Sequence, residues 1–225
     1  MLFNRQAVAT AAFLLGFTLY ETMTCNTVRA DASNRALFNA RASFSSNLSR
    51  FTKWNNVVAR ADLQSQSPEN FCQASVSFAL CSITQWRDLI TEIRTLSLRS
   101  RVARVNEVFN RVPYVPAETN WHDADHWETP LEFLQRGGQC EDYAIAKILA
   151  LEASGVPEQD LQLVIVRDEY LSLDHAIAVV YVDDEPLVLD NQIKDVVPAA
   201  QLNRYVPYYA INRTGWWYFG RTTAN

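Results

Sequence analysis

At Gly155-Val156-Pro157 the hydrophobic pattern of this 225-residue chain changes period. Before that point apolar side chains recur every three and four positions. Leu48, Phe51, Trp54, Val57, Val58 and Ala61 form one such series, Trp86, Leu89, Ile90, Ile93 and Leu96 a second, and Val102, Val105, Val108, Phe109 and Val112 a third. Each series draws a stripe along one face of an α-helix. Ser65 to Pro68 breaks the first helix and Pro113 stops the third, because proline lacks the amide that a helix interior needs. After Pro157 the runs are short, β-branched and aliphatic: Leu161 to Val166, Ala176 to Val182 and Leu187 to Leu189. Asp183-Asp184-Glu185-Pro186 supplies the turn between the last two. Tyr208 to Asn212 and Trp216 to Phe219, joined at Arg213-Thr214-Gly215, add a closing hairpin. Helices followed by antiparallel strands define an α+β domain, a helical N-terminal half packed on a small antiparallel sheet.

The junction between these halves carries the chemistry. Tyr114 to Glu128 is a polar loop, and Thr129-Pro130-Leu131-Glu132 then reads as a capping box with proline at the first helical position. Gly137-Gly138 ends that helix with the positive-φ turn that glycine adopts freely. Cys140 follows at once, and Ala144, Ile145, Ile148, Leu149 and Leu151 continue as a buried helical stripe. A cysteine in the first turn of a buried helix sits at the positive end of the helix dipole. Unpaired amides there favour a thiolate and can donate to an oxyanion. His175 opens one strand and Asp190 closes the next, so an antiparallel pair turning near residue 183 brings them opposite or within a few residues of each other. Cysteine nucleophile, histidine base and orienting aspartate are the three parts of thiol acyl-transfer chemistry.

Other residues weigh less. His122 and His126, with Asp123 and Asp125 nearby, have a spacing compatible with zinc on a helix, but the flanking Trp121, Trp127 and Pro130 indicate a loop. Trp121 and Trp127 serve equally as cleft walls or as rim aromatics. Asp174 reads as a solvated turn residue.

Composition narrows the setting. With 48% hydrophobic and 20% charged residues the chain has globular values, and a net charge of -5 leaves no basic footprint for nucleic acid. Residues 1–32 differ from the rest: Arg5, an apolar run from Ala7 to Leu19, and Ala30-Asp31-Ala32 as a small-x-small site. Thirteen residues, apolar except for Thr10, Gly16 and Thr18, are short for a membrane span and ordinary for a signal peptide. The expectation is export, with an uncleaved N-terminal anchor and a cytoplasmic start as alternatives, and one domain over 33–225 whose first residues, 33–45, form a loose arm. Without the leader, Cys72, Cys81 and Cys140 remain. Cys72 and Cys81 either pair as a disulfide or stand as buried small hydrophobes, which leaves Cys140 as the thiol that needs an explanation.

Trp127-Glu128-Thr129-Pro130-Leu131-Glu132-Phe133-Leu134, Gly137 to Ala144, Asp174-His175-Ala176 and Leu189-Asp190-Asn191 together resemble the bacterial transglutaminase-like cysteine proteinases. Phe51 to Trp54 and Tyr209 to Trp217 extend the likeness over roughly residues 45–220. The resemblance implies a papain/transglutaminase-like core, Cys140 as nucleophile, His175 as general base and acid, and Asp190 as orienter. It also implies a periplasmic enzyme that cuts a large surface adhesin near an alanine pair, releasing a biofilm. An inner-membrane receptor for cyclic diguanylate would sequester it. Calcium held by acidic residues beside the nucleophile is a further implication, and here Glu141 and Asp142 are the candidates. The residue before Cys140 is Gln139, where the family usually has aspartate. Acids in a first helical turn also stabilise the helix end without any metal. The same triad serves a transglutaminase-type acyl transfer to an amine, and the same fold without activity would be an envelope-protein binding module.

Overall fold

The computed structural model describes residues 36–66 and 82–220, so the leader and the Cys72–Cys81 pair lie outside the described residues. Its helices are α1 (Thr52–Gln66), α2 (Ser82–Arg94), α3 (Leu98–Phe109), the short α4 (Ala117–Trp121), α5 (Pro130–Arg136) and α6 (Cys140–Ala153). Its strands are β1 (Ala42–Ser45), β2 (Leu161–Asp168), β3 (Leu173–Val182), β4 (Glu185–Leu189), β5 (Val197–Pro198), β6 (Tyr205–Ile211) and β7 (Trp216–Phe219). Among the described residues no helix is long and apolar enough to cross a membrane.

The strands form a seven-stranded sheet in the order β1-β7-β6-β2-β3-β4-β5, antiparallel throughout. Period-two alternation decides what each face buries. Ala176, Ala178, Val180 and Val182 of β3 face the helices, where they join Ile145, Ile148, Leu149 and Leu151 of α6 and Val102, Val105 and Phe109 of α3. Ile177, Val179 and Tyr181 face the other way, into a second core with Val164, Val166, Tyr205, Ala210, Trp217 and Phe219. Both faces of β3 are therefore covered, which is why its run reads as continuously apolar rather than alternating. The helix that starts at Cys140 is buried along nearly its whole length between α3 and the sheet.

Three local expectations change. Of the arm expected at 33–45, the described residues 36–45 are ordered. Leu37 is 1% exposed in the second core, Phe38 and Asn39 turn the chain with positive φ, and β1 pairs with β7 from Ala42↔Phe219 to Ser45↔Trp216. Phe44 lies against Trp217, so a segment poor in apolar residues is fixed by covering an otherwise open sheet edge. The turn between β3 and β4 is the two-residue Asp183-Asp184 loop, both at positive φ, with Glu185 and Pro186 already in the strand. Aspartate tolerates the left-handed region that this twist-matched hairpin needs. The polar loop at 114–128 contains α4, which ends with His122 in the left-handed conformation.

Candidate active site

The capping box forms as the sequence spells it. Thr129 Oγ1 accepts from the Glu132 amide at 3.4 Å and Glu132 Oε2 from the Thr129 amide at 2.9 Å. Gly137, at φ +74°, closes α5 by donating its N–H to Phe133 O at 2.8 Å. A Cβ on Gly137 would come within 2.3 Å of Pro113 O, and one on Gly138 within 2.6 Å of Asp142 Oδ2. The glycine pair thus lets the Pro113–Val115 segment lie alongside, with Val115 N–H donating to Gly138 O at 3.0 Å. This turn delivers Cys140 as the first residue of α6.

Asp142 holds the turn in place from inside. Its Oδ1 accepts the Glu128 amide at 2.8 Å and its Oδ2 the Gln139 amide at 2.8 Å, and the side chain is fully buried. Burial and the neighbouring Glu141 push its carboxyl up to about 8 against the two amides, which favour the ionised form. The Gln139 side chain points elsewhere, its Oε1 accepting from Ala117 N at 2.7 Å.

The Cys140 thiol is half-buried and meets three groups. It donates to Glu141 Oε2 at 3.3 Å, and the backbone amides of Ala176 and Glu141 point at the sulfur. Burial first, and the Glu141 charge second, push it up to about 12 despite those amides. The Ala176 contact matters most for assembly, because Ala176 directly follows His175. β4 pairs with β3 only as far as Ala178↔Leu189, so the next stretch of the β3 edge is left to the start of α6.

His175 is 3% exposed and Asp190 1%. His175 Nε2 lies 2.9 Å from Asp190 Oδ1, which also accepts the Gln192 amide at 2.9 Å. With Nε2 engaged, Nδ1 is the ring nitrogen left for other work. Asp190 Oδ2 accepts the Tyr205 hydroxyl, and the backbone carbonyl of Asp190 accepts Asn110 Nδ2 at 2.8 Å. Burial alone would raise this carboxyl; hydrogen bonds from His175, Gln192 and Tyr205 and the imidazole's charge outweigh it and hold Asp190 below the usual carboxylate range. The structure therefore brings together His175 and Asp190 directly, and Cys140 with the backbone beside His175. Sequence reasoning did not single out Tyr205, which lies 15 residues from Asp190 on a strand two places across the sheet from β3.

The remaining candidates separate. His126 stacks on Trp121 with ring centroids 4.2 Å apart, and Trp121 Nε1 donates to Glu128 Oε1 at 2.6 Å. His122 caps α4, and Asp174 is exposed, paired with Arg167 at 3.2 Å and accepting the Tyr208 hydroxyl at 3.1 Å. Among the described residues no group of three or more His, Cys, Asp or Glu side chains is placed to hold a metal ion. For calcium this has a physical cause. The ion takes six to eight oxygens, yet both Asp142 oxygens are committed to backbone amides and the Gln139 carbonyl to Ala117. Of the two donors expected, Glu141 and Asp142, Asp142 therefore spends both oxygens on capping the helix in this arrangement.

Comparison with known proteins matches residues 64–220 to the family described as bacterial transglutaminase-like cysteine proteinase BTLCP. No curated protein matches the chain. Among solved structures, Legionella pneumophila LapG is similar at 26% identity over 72% of this chain and 87% of that one, with a TM-score of 0.58. Its calcium-bound form is similar at 25% identity over 76% and 92%, TM-score 0.59, and its EGTA-treated form at 25% over 75% and 88%, TM-score 0.58.

Proposed function

The chain belongs to the bacterial transglutaminase-like cysteine proteinases and is a cysteine peptidase; from that premise we propose that Cys140, His175 and Asp190 perform the cleavage. One observation carries the assignment: Asp190 grips Nε2 of His175 at 2.9 Å while the next residue's amide meets the Cys140 sulfur. The thiol, pushed up to about 12, rests neutral, so a base must act during attack. His175 Nδ1 takes the thiol proton as sulfur bonds to the scissile carbonyl carbon. Backbone amides at the start of α6 hold the oxyanion. The imidazolium returns its proton to the leaving amine as the C–N bond breaks. Water, deprotonated by the same ring, then splits the thioester and restores the thiol. Asp190 keeps the ring oriented and offsets its charge in both halves of the cycle.

The substrate is a protein. The likeness drawn from the sequence motifs supports a large surface adhesin cut near an alanine pair, a membrane cyclic-diguanylate receptor as partner, and a periplasmic setting consistent with the leader at residues 1–32. No step of the proposed chemistry passes through calcium, which belongs to the LapG relative's structure.

The test incubates the protein and a Cys140→Ala form with an alanine-rich adhesin fragment. Cleavage by the first and none by the second is expected, since loss of a nucleophile removes several orders of magnitude in rate. Equal cleavage by both overturns the assignment.

A further inference from the structure

The buried carboxylate of Asp190 has two oxygens, and they are satisfied separately. Oδ1 receives His175 Nε2 and the Gln192 amide, each at 2.9 Å, whereas Oδ2 has the Tyr205 hydroxyl. A buried carboxylate oxygen without a donor is costly, so the group would turn to find one. Any such turn swings Oδ1 away from the histidine. Tyr205 is itself fixed. Its side chain is 3% exposed, Phe38 meets its ring edge-on at 5.7 Å, and the Arg204 guanidinium lies 5.2 Å from the ring centre. Arg204 in turn pairs with the buried Asp168. Asp168 Oδ1 accepts the Tyr170 and Leu171 amides at 2.9 and 3.1 Å, in the turn that leads to His175. The phenol is thus braced against the strand that carries the histidine as well as against the carboxylate.

We infer that Tyr205 is a positioning residue of this site, its hydroxyl locking the Asp190 carboxylate so that one oxygen stays aimed at His175. Burial and the Asp190 charge push the phenol's pKa up, so it remains a donor at any pH the protein meets. The role rests on the catalytic reading above and deepens it. A purely structural tyrosine would need only its ring, and the hydroxyl would be dispensable.

The experiment reads alkylation of Cys140 by iodoacetamide in the full chain, followed by peptide mass spectrometry between about pH 5 and 9, which spans histidine titration. Tyr205→Phe keeps the ring and removes the hydroxyl. Its alkylation at neutral pH is expected to fall about 3- to 10-fold, the worth of one buried hydrogen bond. The midpoint of the pH profile is expected to move, while the melting temperature stays within a few degrees. A Tyr205→Phe profile that superimposes on the parent's, while Asp190→Ala slows the reaction, overturns the positioning role and leaves the triad intact. Should His175→Ala and Asp190→Ala also superimpose, the catalytic reading itself fails. If the Phe variant does not fold, 3-fluorotyrosine placed at 205 makes the hydroxyl a stronger donor with the same packing. It must then displace the profile as well, and an unmoved profile overturns the inference.

Discussion

At the scale of single residues the conflict at Cys140 is the most informative feature. A helix start favours a thiolate, yet burial and the adjacent Glu141 carboxylate push the thiol the other way, up to about 12. Glu141 is the adjustable part, because its Oε2 accepts the S–H at 3.3 Å and its charge opposes ionisation. Glu141→Gln removes the charge and keeps the side-chain length. Thiol reactivity toward iodoacetamide at about pH 8 is expected to rise roughly tenfold, equivalent to about 1.4 kcal/mol. An unchanged or lower rate would mean that Glu141 does not set the nucleophile's protonation. Cys140, His175 and Asp190 could be picked out in the sequence because each lies at or near an element boundary: the first residue of α6, the third of β3 and the one just after β4. Tyr205 could not. It sits among several tyrosines of an aromatic-rich strand, and only the sheet order brings its hydroxyl to Asp190.

At the scale of elements, α6 depends on Asp142. Two amides, the buried one of Glu128 before α5 and the partly buried one of Gln139 before α6, converge on one carboxylate, so this side chain joins two helix starts. Asp142→Ala strands both donors and is expected to cost about 2 kcal/mol or more, read as a lowered denaturation midpoint. The pH dependence has a definite sign. The carboxyl is raised in the fold to about 8 from an ordinary 3.8, so between those values the native state holds the extra proton. Stability from this group is therefore greatest at low pH and is lost as pH rises through about 8. Against Asp142→Asn, which does not titrate, the parent's advantage should shrink across that window in thermal melts, and a constant gap would sink the argument. The capping box and the Gly137 turn were legible because they use local chemistry. The 36–45 segment was not, because its order comes from Leu37 under the far face of the sheet and from pairing with β7. Those contacts join the two ends of the described chain, and no local pattern signals them.

At the scale of the whole molecule, the helix-facing core contains, among the described residues, one cation without a hydrogen-bond partner. Lys147 lies seven residues beyond Cys140, two turns down the same side of α6. It is fully buried, and its Nζ has no hydrogen-bond partner, with the Tyr143 ring centre 5.8 Å away. Burial lowers its ammonium to about 7, with the Asp190 charge pulling the other way. The sequence placed this residue on a buried helix but gave no reason to expect an unpartnered amine there, since buried lysines are almost always paired. The thermodynamic consequence follows from the depressed ionisation. Between about 7 and 10.5 the unfolded chain binds the proton that the native state rejects, so this group's penalty is full below about 7 and fades as pH rises toward 10.5. Lys147→Met keeps the volume of the stem and removes the amine. It is expected to stabilise the fold near pH 7 by about 2 kcal/mol, or roughly 4 to 8 °C in melting temperature, with most of the gain gone by about pH 10. A Met variant less stable than the parent at every pH would show that the amine has a partner worth more than its burial costs. If the gain appears with slower alkylation of Cys140, the same buried charge also supports the Asp190 carboxylate, and stability has been given up there for the electrostatics of the site.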